Sequence, residues 1–185
     1  MDKNFDITGA TKLTCLLGNP VSHSISPAMH NASFQKLGLD YTYLAFSVDE
    51  THFERAVDGL ITLGAAGWNC TMPLKRLMYE RGDTLSDSAL LSGAVNTVVN
   101  RDGQLFGDNT DGYGFLQSMR DAGFSCEGKH AVLLGSGGAA AAILAQAALD
   151  GAAAIDVFAR SASASTRLIA EEIQRIHARC DCRIR

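Results

Sequence analysis

Residues 67–75 have the sequence Gly67-Trp68-Asn69-Cys70-Thr71-Met72-Pro73-Leu74-Lys75, which brings polar side chains and a lysine to the end of a short apolar run. The pattern predicts a strand, a turn and a short helix, because proline is tolerated in a first helical turn. Lys75 then lies in that first turn, where a cation opposes the helix dipole. Its position indicates contact with an anionic or reactive group, with a solvated surface lysine as the alternative.

Strands and helices alternate on both sides of this stretch. Apolar runs at residues 13–17 and 41–48 predict two more strands, and the apolar spacing over residues 53–61 predicts a helix. Ser26 precedes Pro27 and is placed to cap another helix, while Asp102-Gly103 predicts a hairpin turn. The alternation predicts an α/β domain with a mostly parallel sheet over residues 1–123.

A second unit is predicted over residues 124–185. An apolar strand at 130–134 leads into Gly135-Ser136-Gly137-Gly138-Ala139-Ala140 and an alanine-rich helix. This G-x-G-x-x-A pattern between strand and helix is typical of dinucleotide binding, since its glycines allow a tight turn and close approach of a phosphate. With a strand at 154–158 and a helix at 163–177, the unit is predicted to be a partial Rossmann domain, whose third strand is only starting where the sequence ends.

Composition and charge exclude several classes of partner. The net charge of −4 and the absence of a long basic run argue against nucleic acid. No apolar segment approaches the length of a membrane span, and the first residues are polar, so a cytoplasmic location and no membrane partner are predicted. The five cysteines are odd in number and lack metal-ligand spacing, which predicts free thiols and no metal site.

Four polar clusters follow predicted strands or lie in the loops beyond them, where open α/β sheets bind ligands. The clusters are Ser24 with Ser26, Asn69 with Thr71 and Lys75, Asn96 with Thr97, and Asn109 with Asp111. Each has a structural alternative. Ser26 could be a helix cap, Asn96 a turn former, and Asp111 a favourable anion in a first helical turn.

Together these clusters resemble the shikimate dehydrogenase family. The matching segments, in the family's order and spacing, are Gly18-Asn19-Pro20-Val21-Ser22-His23-Ser24-Ile25-Ser26-Pro27, Gly67 to Lys75, Gly93-Ala94-Val95-Asn96-Thr97, Gly107-Asp108-Asn109-Thr110-Asp111-Gly112 and Leu133-Leu134-Gly135-Ser136-Gly137-Gly138-Ala139. The alanine-rich helix after the glycine loop looks closest to the branch that also accepts quinate.

The resemblance assigns roles to individual residues. It implies NADP-dependent oxidation of shikimate to 3-dehydroshikimate, or also of quinate to 3-dehydroquinate, with substrate held by residues 1–123 and cofactor by residues 124–185. Ser24 and Ser26 are expected to bind the substrate carboxylate. The residues expected around the ring hydroxyls are Thr71, Lys75, Asn96 and Asp111, of which Lys75 and Asp111 are the expected catalytic pair.

Alcohol oxidation needs such a pair because it releases a proton as well as a hydride. An ordinary lysine, with a pKa near 10.4, is a poor base at neutral pH, and a neighbouring carboxylate favours its charged form still more. Desolvation on closure of a cleft could offset this. Alternatively, a charged Lys75 steadies the developing alkoxide and donates the proton in the reverse direction.

The cofactor is expected on the glycine loop. The residues expected to hold it are Gly135, Ser136, Gly137, Gly138 and Ala139. Asp156 has the spacing of a ribose-binding acid but is predicted to lie within a strand and not at its end. Arg160 occupies the place of an arginine in the family pattern, where it could pair with a 2′-phosphate, so NADP is favoured over NAD.

The ending departs from the family, whose members continue through the Rossmann sheet and return to the substrate domain. The chain is therefore expected to be a C-terminally shortened product or a distinct short protein. One alternative is a non-catalytic remnant that binds a polyhydroxy acid through its N-terminal domain, and another is a generic dinucleotide-binding module, which leaves the four clusters unexplained. An uncovered sheet edge predicts association, for example as a homodimer.

Overall fold

The structure is a computed structural model that describes residues 6–160, 167, 170, 171, 173 and 180–185. Strands and helices alternate along these residues. Their bounds are β1 (Lys12–Gly18), α1 (Ser26–Leu37), β2 (Tyr41–Ser47), α2 (Phe53–Thr62), β3 (Gly67–Cys70), α3 (Lys75–Arg81), β4 (Thr84–Leu85), α4 (Asp87–Ser92), β5 (Thr97–Arg101), β6 (Gln104–Asp108), α5 (Asp111–Asp121), β7 (His130–Leu134), α6 (Gly138–Leu149), β8 (Ala154–Phe158) and β9 (Asp181–Ile184). The predicted α/β class is confirmed.

The chain packs as two compact units. One comprises Met1–Thr84 and Val95–Gly107, and the other comprises Leu85–Ala94 and Asp108–Arg185. This division by packing differs from the predicted boundary at residue 123, because α4 and α5 both pack on α6. The assignment of substrate and cofactor roles to residues 1–123 and 124–185 stays a prediction.

The first unit is built on a six-stranded sheet with the order β2-β1-β3-β5-β6-β4. Strand β1 pairs in parallel with β2 and β3, whereas β5 runs antiparallel to β3. The connection from β5 to β6 is the predicted turn at Asp102 and Gly103, which have φ angles of 52° and 88°. Positive φ at both central residues is what a two-residue hairpin turn requires. The sheet therefore joins a parallel part to an antiparallel hairpin.

Helix α2 presents the predicted apolar stripe. Phe53, Val57 and Leu60 are buried and recur at helical spacing. The neighbouring prediction that Pro73 lies in the first turn of a helix is wrong, because α3 begins at Lys75 and Pro73 lies in the turn before it. Lys75 is the first residue of that helix and so lies in its first turn, as predicted.

The second unit holds a three-stranded parallel sheet with the order β7-β8-β9. Its third strand is formed, since Ile155 in β8 is in register with Cys182 in β9. Helix α6 covers the sheet with alanine and leucine side chains, including the fully buried Leu144 and Ala145. Of the helix predicted over residues 163–177, most lies outside the described residues; Ala170 and Ile173 are helical and buried.

Candidate functional site

Two loops of the first unit are joined where β1 and β3 end. The N–H of Thr71 donates to the carbonyl of Leu17 at 2.9 Å, and the N–H of Asn19 donates to that of Met72 at 3.0 Å. A Cβ at Gly18 would clash with Thr71 Cγ2, so a larger residue there would force Thr71 to move. The glycine thus permits the close approach that holds Thr71 beside the end of β1.

Ser24 and Ser26 follow β1 in the loop that leads into α1. The backbone N–H of Ser26 donates to Ser24 Oγ at 3.2 Å, and both residues are half-buried. The alternative role of Ser26 as a helix cap is wrong, because Ser26 is the first residue of α1 and the cap position belongs to Ile25, without a side-chain capping bond. The two hydroxyls are thus consistent with ligand binding.

Lys75 begins α3 shortly after β3 ends, and its backbone is tied to a neighbouring segment. Its carbonyl accepts from the N–H of Val95 at 2.9 Å, which ties the start of α3 to the segment before β5. Burial is the main cause that raises the pKa of Cys70 to about 12; the Cys15 thiol also raises it and the Lys75 charge lowers it. Cys70 therefore stays a neutral thiol near Lys75 and cannot serve as a nucleophile at neutral pH.

Asn96 lies directly before β5 and is 9% exposed. Its carbonyl accepts from the N–H of Cys70 at 2.9 Å, so it sits beside the end of β3. Its side-chain Oδ1 accepts from the Thr97 hydroxyl at 2.8 Å. A role as a turn former alone does not account for Asn96, because its side chain belongs to a network of polar residues.

That network extends to Asn69, which the sequence grouped with Thr71 and Lys75, and to Tyr43, which the sequence did not single out. Asn69 Nδ2 donates to the carbonyl of Asn96 at 3.1 Å and to Thr97 Oγ1 at 3.0 Å, and Asn69 Oδ1 accepts from the Tyr43 hydroxyl at 2.7 Å. Burial is the main cause that raises the pKa of Tyr43, with further contributions from the Cys15 and Cys70 thiols. The phenol therefore stays protonated, and its hydroxyl donates a hydrogen bond to Asn69 Oδ1.

Asp111 belongs to the second unit and is the first residue of α5. Its N–H donates at 3.2 Å to Oδ1 of Asn109, which is 3% exposed and donates through Nδ2 to Ser92 Oγ and the carbonyl of Ala94. Asn109 therefore braces the loop before Asp111. The carboxylate of Asp111 lies at a helix N-terminus, where an anion is favourable, so the structural and the catalytic explanation of its position both stand.

The predicted glycine loop lies between β7 and α6 in the second unit. Gly135 has a φ of +111°, which suits glycine, and its N–H donates to the carbonyl of Phe158 at 2.8 Å. An added Cβ at Gly135, Gly137 or Gly138 would meet nothing within 4 Å, so this backbone faces open space. Exposed backbone at the N-terminus of a helix is a site for a phosphate group.

A cleft of about 370 Å³ adjoins the loop. It is lined by Gly135, Ser136, Phe158, Ala159 and Arg160. Arg160, the arginine predicted to bind a phosphate, is exposed and lies 25 residues after Gly135 in the sequence. The fold places it in the same cleft as the glycine loop. Ala139 lies in the first turn of α6 and is exposed. These residues fit the phosphate groups of a dinucleotide.

Asp156 has a structural role within this unit. It lies inside β8, is 8% exposed, and pairs with His130 Nε2 at 2.9 Å and Arg185 Nε at 3.0 Å. Burial alone would raise the pKa of its carboxyl, but hydrogen bonds from Arg185 and His130 hold that pKa below its ordinary value. The Asp156 carboxylate thus pairs with side chains of its own sheet and does not serve as a ribose-binding acid.

The Asp156 cluster leads to a pH prediction for stability. Because the folded-state pKa is lower than the unfolded value of about 3.9, the carboxylate stabilises the fold above that value, and the contribution is lost as pH falls through the folded pKa. We expect Asp156→Asn to destabilise the chain at neutral pH and the difference from wild type to shrink below about pH 4. Urea denaturation over this pH range measures the difference in the free energy of unfolding between wild type and the variant. A difference that does not depend on pH contradicts the stabilising role of the Asp156 carboxylate.

Other kinds of site are not found in the described part of the chain. No group of three or more histidine, cysteine or acidic residues is arranged to hold a metal ion. No helix among those residues combines the length and apolarity needed to cross a membrane.

Comparisons with known proteins identify the fold. Residues 16–98 match the family described as the shikimate dehydrogenase substrate binding domain. A relative named shikimate dehydrogenase (NADP(+)) from Alkaliphilus metalliredigens is 49% identical over 164 residues, which are 89% of this chain and 57% of the relative.

Two crystal structures resemble the chain over nearly its whole length. Shikimate 5-dehydrogenase from Listeria monocytogenes, in complex with shikimate and NAD, superposes with a TM-score of 0.93 and 44% identity over 97% of this chain and 62% of that one. The 5-ketofructose reductase of Gluconobacter sp. strain CHM43 superposes with a TM-score of 0.89 and 35% identity, over 96% of this chain and 63% of that one. This chain spans about 60% of the length of these relatives. The chain is therefore similar to shikimate dehydrogenases over nearly all of its own length, and its residues 16–98 match the model of their substrate binding domain.

Proposed function

We propose that the chain acts in the reversible, NADP-dependent oxidation of shikimate to 3-dehydroshikimate. The observation that carries this proposal is the grouping of Thr71, Lys75 and Asn96 where β3 ends and β5 begins. Backbone hydrogen bonds tie Thr71 to Leu17 at the end of β1, Lys75 to Val95 and Asn96 to Cys70. Hydroxyl, amide and ammonium groups held together in this way suit a substrate rich in hydroxyls.

The substrate is a small polyhydroxy acid in this proposal. Ser24 and Ser26 bind its carboxylate through their hydroxyls, while Thr71 and Asn96 hydrogen-bond the ring hydroxyls. Quinate offers the same kinds of group, and 5-ketofructose is the substrate named for one relative at 35% identity. All three compounds therefore belong in an assay of this chain.

Proton transfer at the reacting hydroxyl is assigned to Lys75, with Asp111 as the predicted carboxylate of the catalytic pair. Oxidation to the ketone removes a hydride from the carbon and a proton from the oxygen, and the proton needs an acceptor in place. Lys75 is half-buried, which limits its access to water and favours a role toward a bound ligand.

The cofactor is assigned to the glycine loop and its cleft. Its phosphates are bound by backbone N–H groups at the start of α6, with Ser136 and Arg160 beside them. NADP, when bound, takes up the hydride from the substrate carbon. The preference for NADP over NAD rests on the arginine, whose guanidinium matches the geometry of a phosphate group.

Arg160→Ala is expected to weaken NADP binding about tenfold, because a charge-assisted contact to the 2′-phosphate is lost. NAD lacks that phosphate, so its affinity should stay unchanged. Titration calorimetry with both cofactors measures the effect, and Lys129→Ala serves as the control because Lys129 is an exposed cation of the same unit outside the cleft. Equal losses for NADP and NAD reject the assignment.

The proposed activity is tested by NADPH formation at 340 nm from the 185-residue chain with shikimate, quinate or neither, and by NADPH consumption with 5-ketofructose. Calorimetry with each acid alone runs in parallel. Turnover of shikimate supports the proposal. Shikimate binding without turnover supports instead a non-catalytic remnant, and a chain that binds neither acid contradicts the proposed substrate class.

Location and association follow as secondary proposals. The buried free thiols fit the cytoplasmic location predicted from the sequence, since reduced cysteines are usual there. Strand β7 lies at the edge of the sheet in the second unit and exposes Val132 and Leu134. Such an edge favours association of two copies, which sedimentation of the purified chain measures.

A further inference from the structure

Asn109 is a buried asparagine whose side-chain amide has one possible orientation. The carbonyl of Ala94 can only accept a hydrogen bond, so the atom that faces it at 3.1 Å is Nδ2. The backbone N–H of Asp111 can only donate, so the atom that faces it at 3.2 Å is Oδ1. If the amide were turned by half a circle, donor would face donor and acceptor would face acceptor. At 3% exposure, bulk water does not replace the lost bonds.

Asn109 and its neighbour Asp108 hold the two ends of helix α4. Asp108 Oδ1 accepts from the hydroxyl of Ser88 at 2.7 Å and from that of Ser86, which caps the start of the helix. Asn109 Nδ2 donates at 2.9 Å to the hydroxyl of Ser92, the last residue of the helix. Helix α4 itself packs on α6. The segment that leads into α5 is therefore anchored on both ends of a packed helix.

This anchoring reaches the backbone of Asp111. Its N–H belongs to the first turn of α5, where backbone donors have no acceptor within their own helix. Asn109 Oδ1 supplies an acceptor, while the two hydrogens of Nδ2 are used by the Ser92 hydroxyl and the carbonyl of Ala94. The amide of Asn109 therefore sets the distance between the end of α4 and the backbone from which the Asp111 carboxylate projects.

We propose that Asn109 is a positioning residue that uses the end of α4 to hold the Asp111 carboxylate in place for proton transfer at the reacting hydroxyl. The role rests on the proposed function, which assigns Asp111 to the catalytic pair. Ser92 acts through Asn109, because its hydroxyl is one of the two acceptors of Nδ2. A displacement of a reacting group by about 1 Å costs about a hundredfold in rate, so the loss of this bond is felt mainly in kcat.

Asn109→Ala tests the proposal by removing the amide. We expect kcat for shikimate oxidation to fall about tenfold to a hundredfold, and KM to change far less, because other side chains are assigned to bind the substrate. In nitrogen-15 spectra of the ligand-free chain, the backbone amide resonance of Asp111 should shift, since its N–H loses an acceptor. An unchanged kcat in the folded variant overturns the proposal.

Ser92→Ala shows whether the effect runs through Asn109. It removes the hydroxyl but leaves the bonds of Asn109 to Ala94 and Asp111. We expect it to lower kcat by a smaller factor in wild type and to have no further effect on kcat in Asn109→Ala. Losses that multiply in the double variant mean that the two residues act independently, and they overturn the proposal.

Ser92→Ala also serves if Asn109→Ala does not fold, because it is the milder change. A lower kcat together with a shifted Asp111 amide then supports the positioning role. An unchanged kcat despite a shifted Asp111 amide overturns it.

Asn100→Ala is the matched control. Asn100 is a half-buried asparagine of β5 that makes the same two kinds of bond, since its Nδ2 donates to the carbonyl of Ala65 at 2.8 Å and its Oδ1 accepts from the N–H of Gly103 at 2.9 Å. Loss of its amide should lower stability but leave kcat and the Asp111 resonance unchanged. Equal losses of kcat in Asn100→Ala and Asn109→Ala assign the effect to stability and overturn the proposal.

The wild-type chain separates this inference from the proposed function. If wild type oxidises shikimate and Asn109→Ala keeps its kcat, the positioning role is wrong and the proposed function stands. If wild type shows no turnover, the proposed function fails. A shifted Asp111 amide in Asn109→Ala then leaves the bonds of Asn109 as structural order only, and its role in proton transfer is overturned.

Discussion

Lys75→Ala is expected to lower kcat for shikimate oxidation by about a hundredfold to ten thousandfold, the range typical of a lost proton-transfer group. KM should change far less, because four other side chains are assigned to hold the substrate. The physical basis is that uncharged hydroxyl groups do not release a proton without an acceptor in place. Steady-state kinetics at 340 nm with shikimate and NADP measure both constants.

Arg76→Ala is the matched control for this substitution. Arg76 is the next residue of α3, its side chain is 83% exposed, and it pairs with Glu80 one helical turn away at 3.1 Å. Removing this surface cation should leave kcat and KM unchanged, since exposed ion pairs contribute little. If Lys75→Ala instead raises KM and leaves kcat unchanged, the lysine binds substrate and takes no part in proton transfer.

Lys75 also shows how far local pattern predicts a site. A lysine directly after a short strand and a proline turn indicated a functional cation at a helix start, and α3 does begin at Lys75. The predicted starts of two helices were wrong in detail. Ser26 is the first residue of its helix and not its cap, and Pro73 lies before its helix and not in its first turn. The exact residue at which a helix starts depends on backbone hydrogen bonds to distant strands, and the local sequence pattern carries no information about those bonds.

Long-range pairing explains what sequence alone missed. Tyr43 and Asn69 are 26 residues apart and meet only because β2 and β3 both flank β1. The pattern placed Asn69 with Thr71 and Lys75, but it contained nothing that indicates a bond from this amide to the neighbouring strand. In the fold, Asn69 Nδ2 donates to the carbonyl of Asn96 and to Thr97 Oγ1.

The second unit shows the opposite case. The glycine loop was predictable with its context, because the strand before it and the helix after it are strongly apolar and continuous in sequence. The role of Asp156 needed the fold, since its partners His130 and Arg185 come from the strands on either side or their ends. The packing of α4 and α5 with α6 likewise depends on contacts that no local pattern records.

Gly112→Ala is expected to destabilise the second unit by about 3 kcal/mol, the cost of forcing a methyl group into a packed interface. Helices α5 and α6 approach closely at this glycine, where an added Cβ would lie 2.2 Å from the carbonyl oxygen of Ala142 and 2.7 Å from Gln146 Cβ. Backbone atoms of a buried helix cannot move aside cheaply. Urea denaturation followed by circular dichroism measures the free energy of unfolding.

Gly114→Ala is the internal control, because it places the same methyl group two residues further along the same helix. An added Cβ at Gly114 meets nothing within 4 Å, so the higher helix propensity of alanine should stabilise the chain by up to about 1 kcal/mol. The two substitutions therefore have opposite expected signs. If both stabilise the chain, α5 and α6 can separate without cost, and Gly112 is not needed for their close packing. Asp111 directly precedes this glycine in α5, so the close packing that Gly112 permits lies at the helix start that carries Asp111.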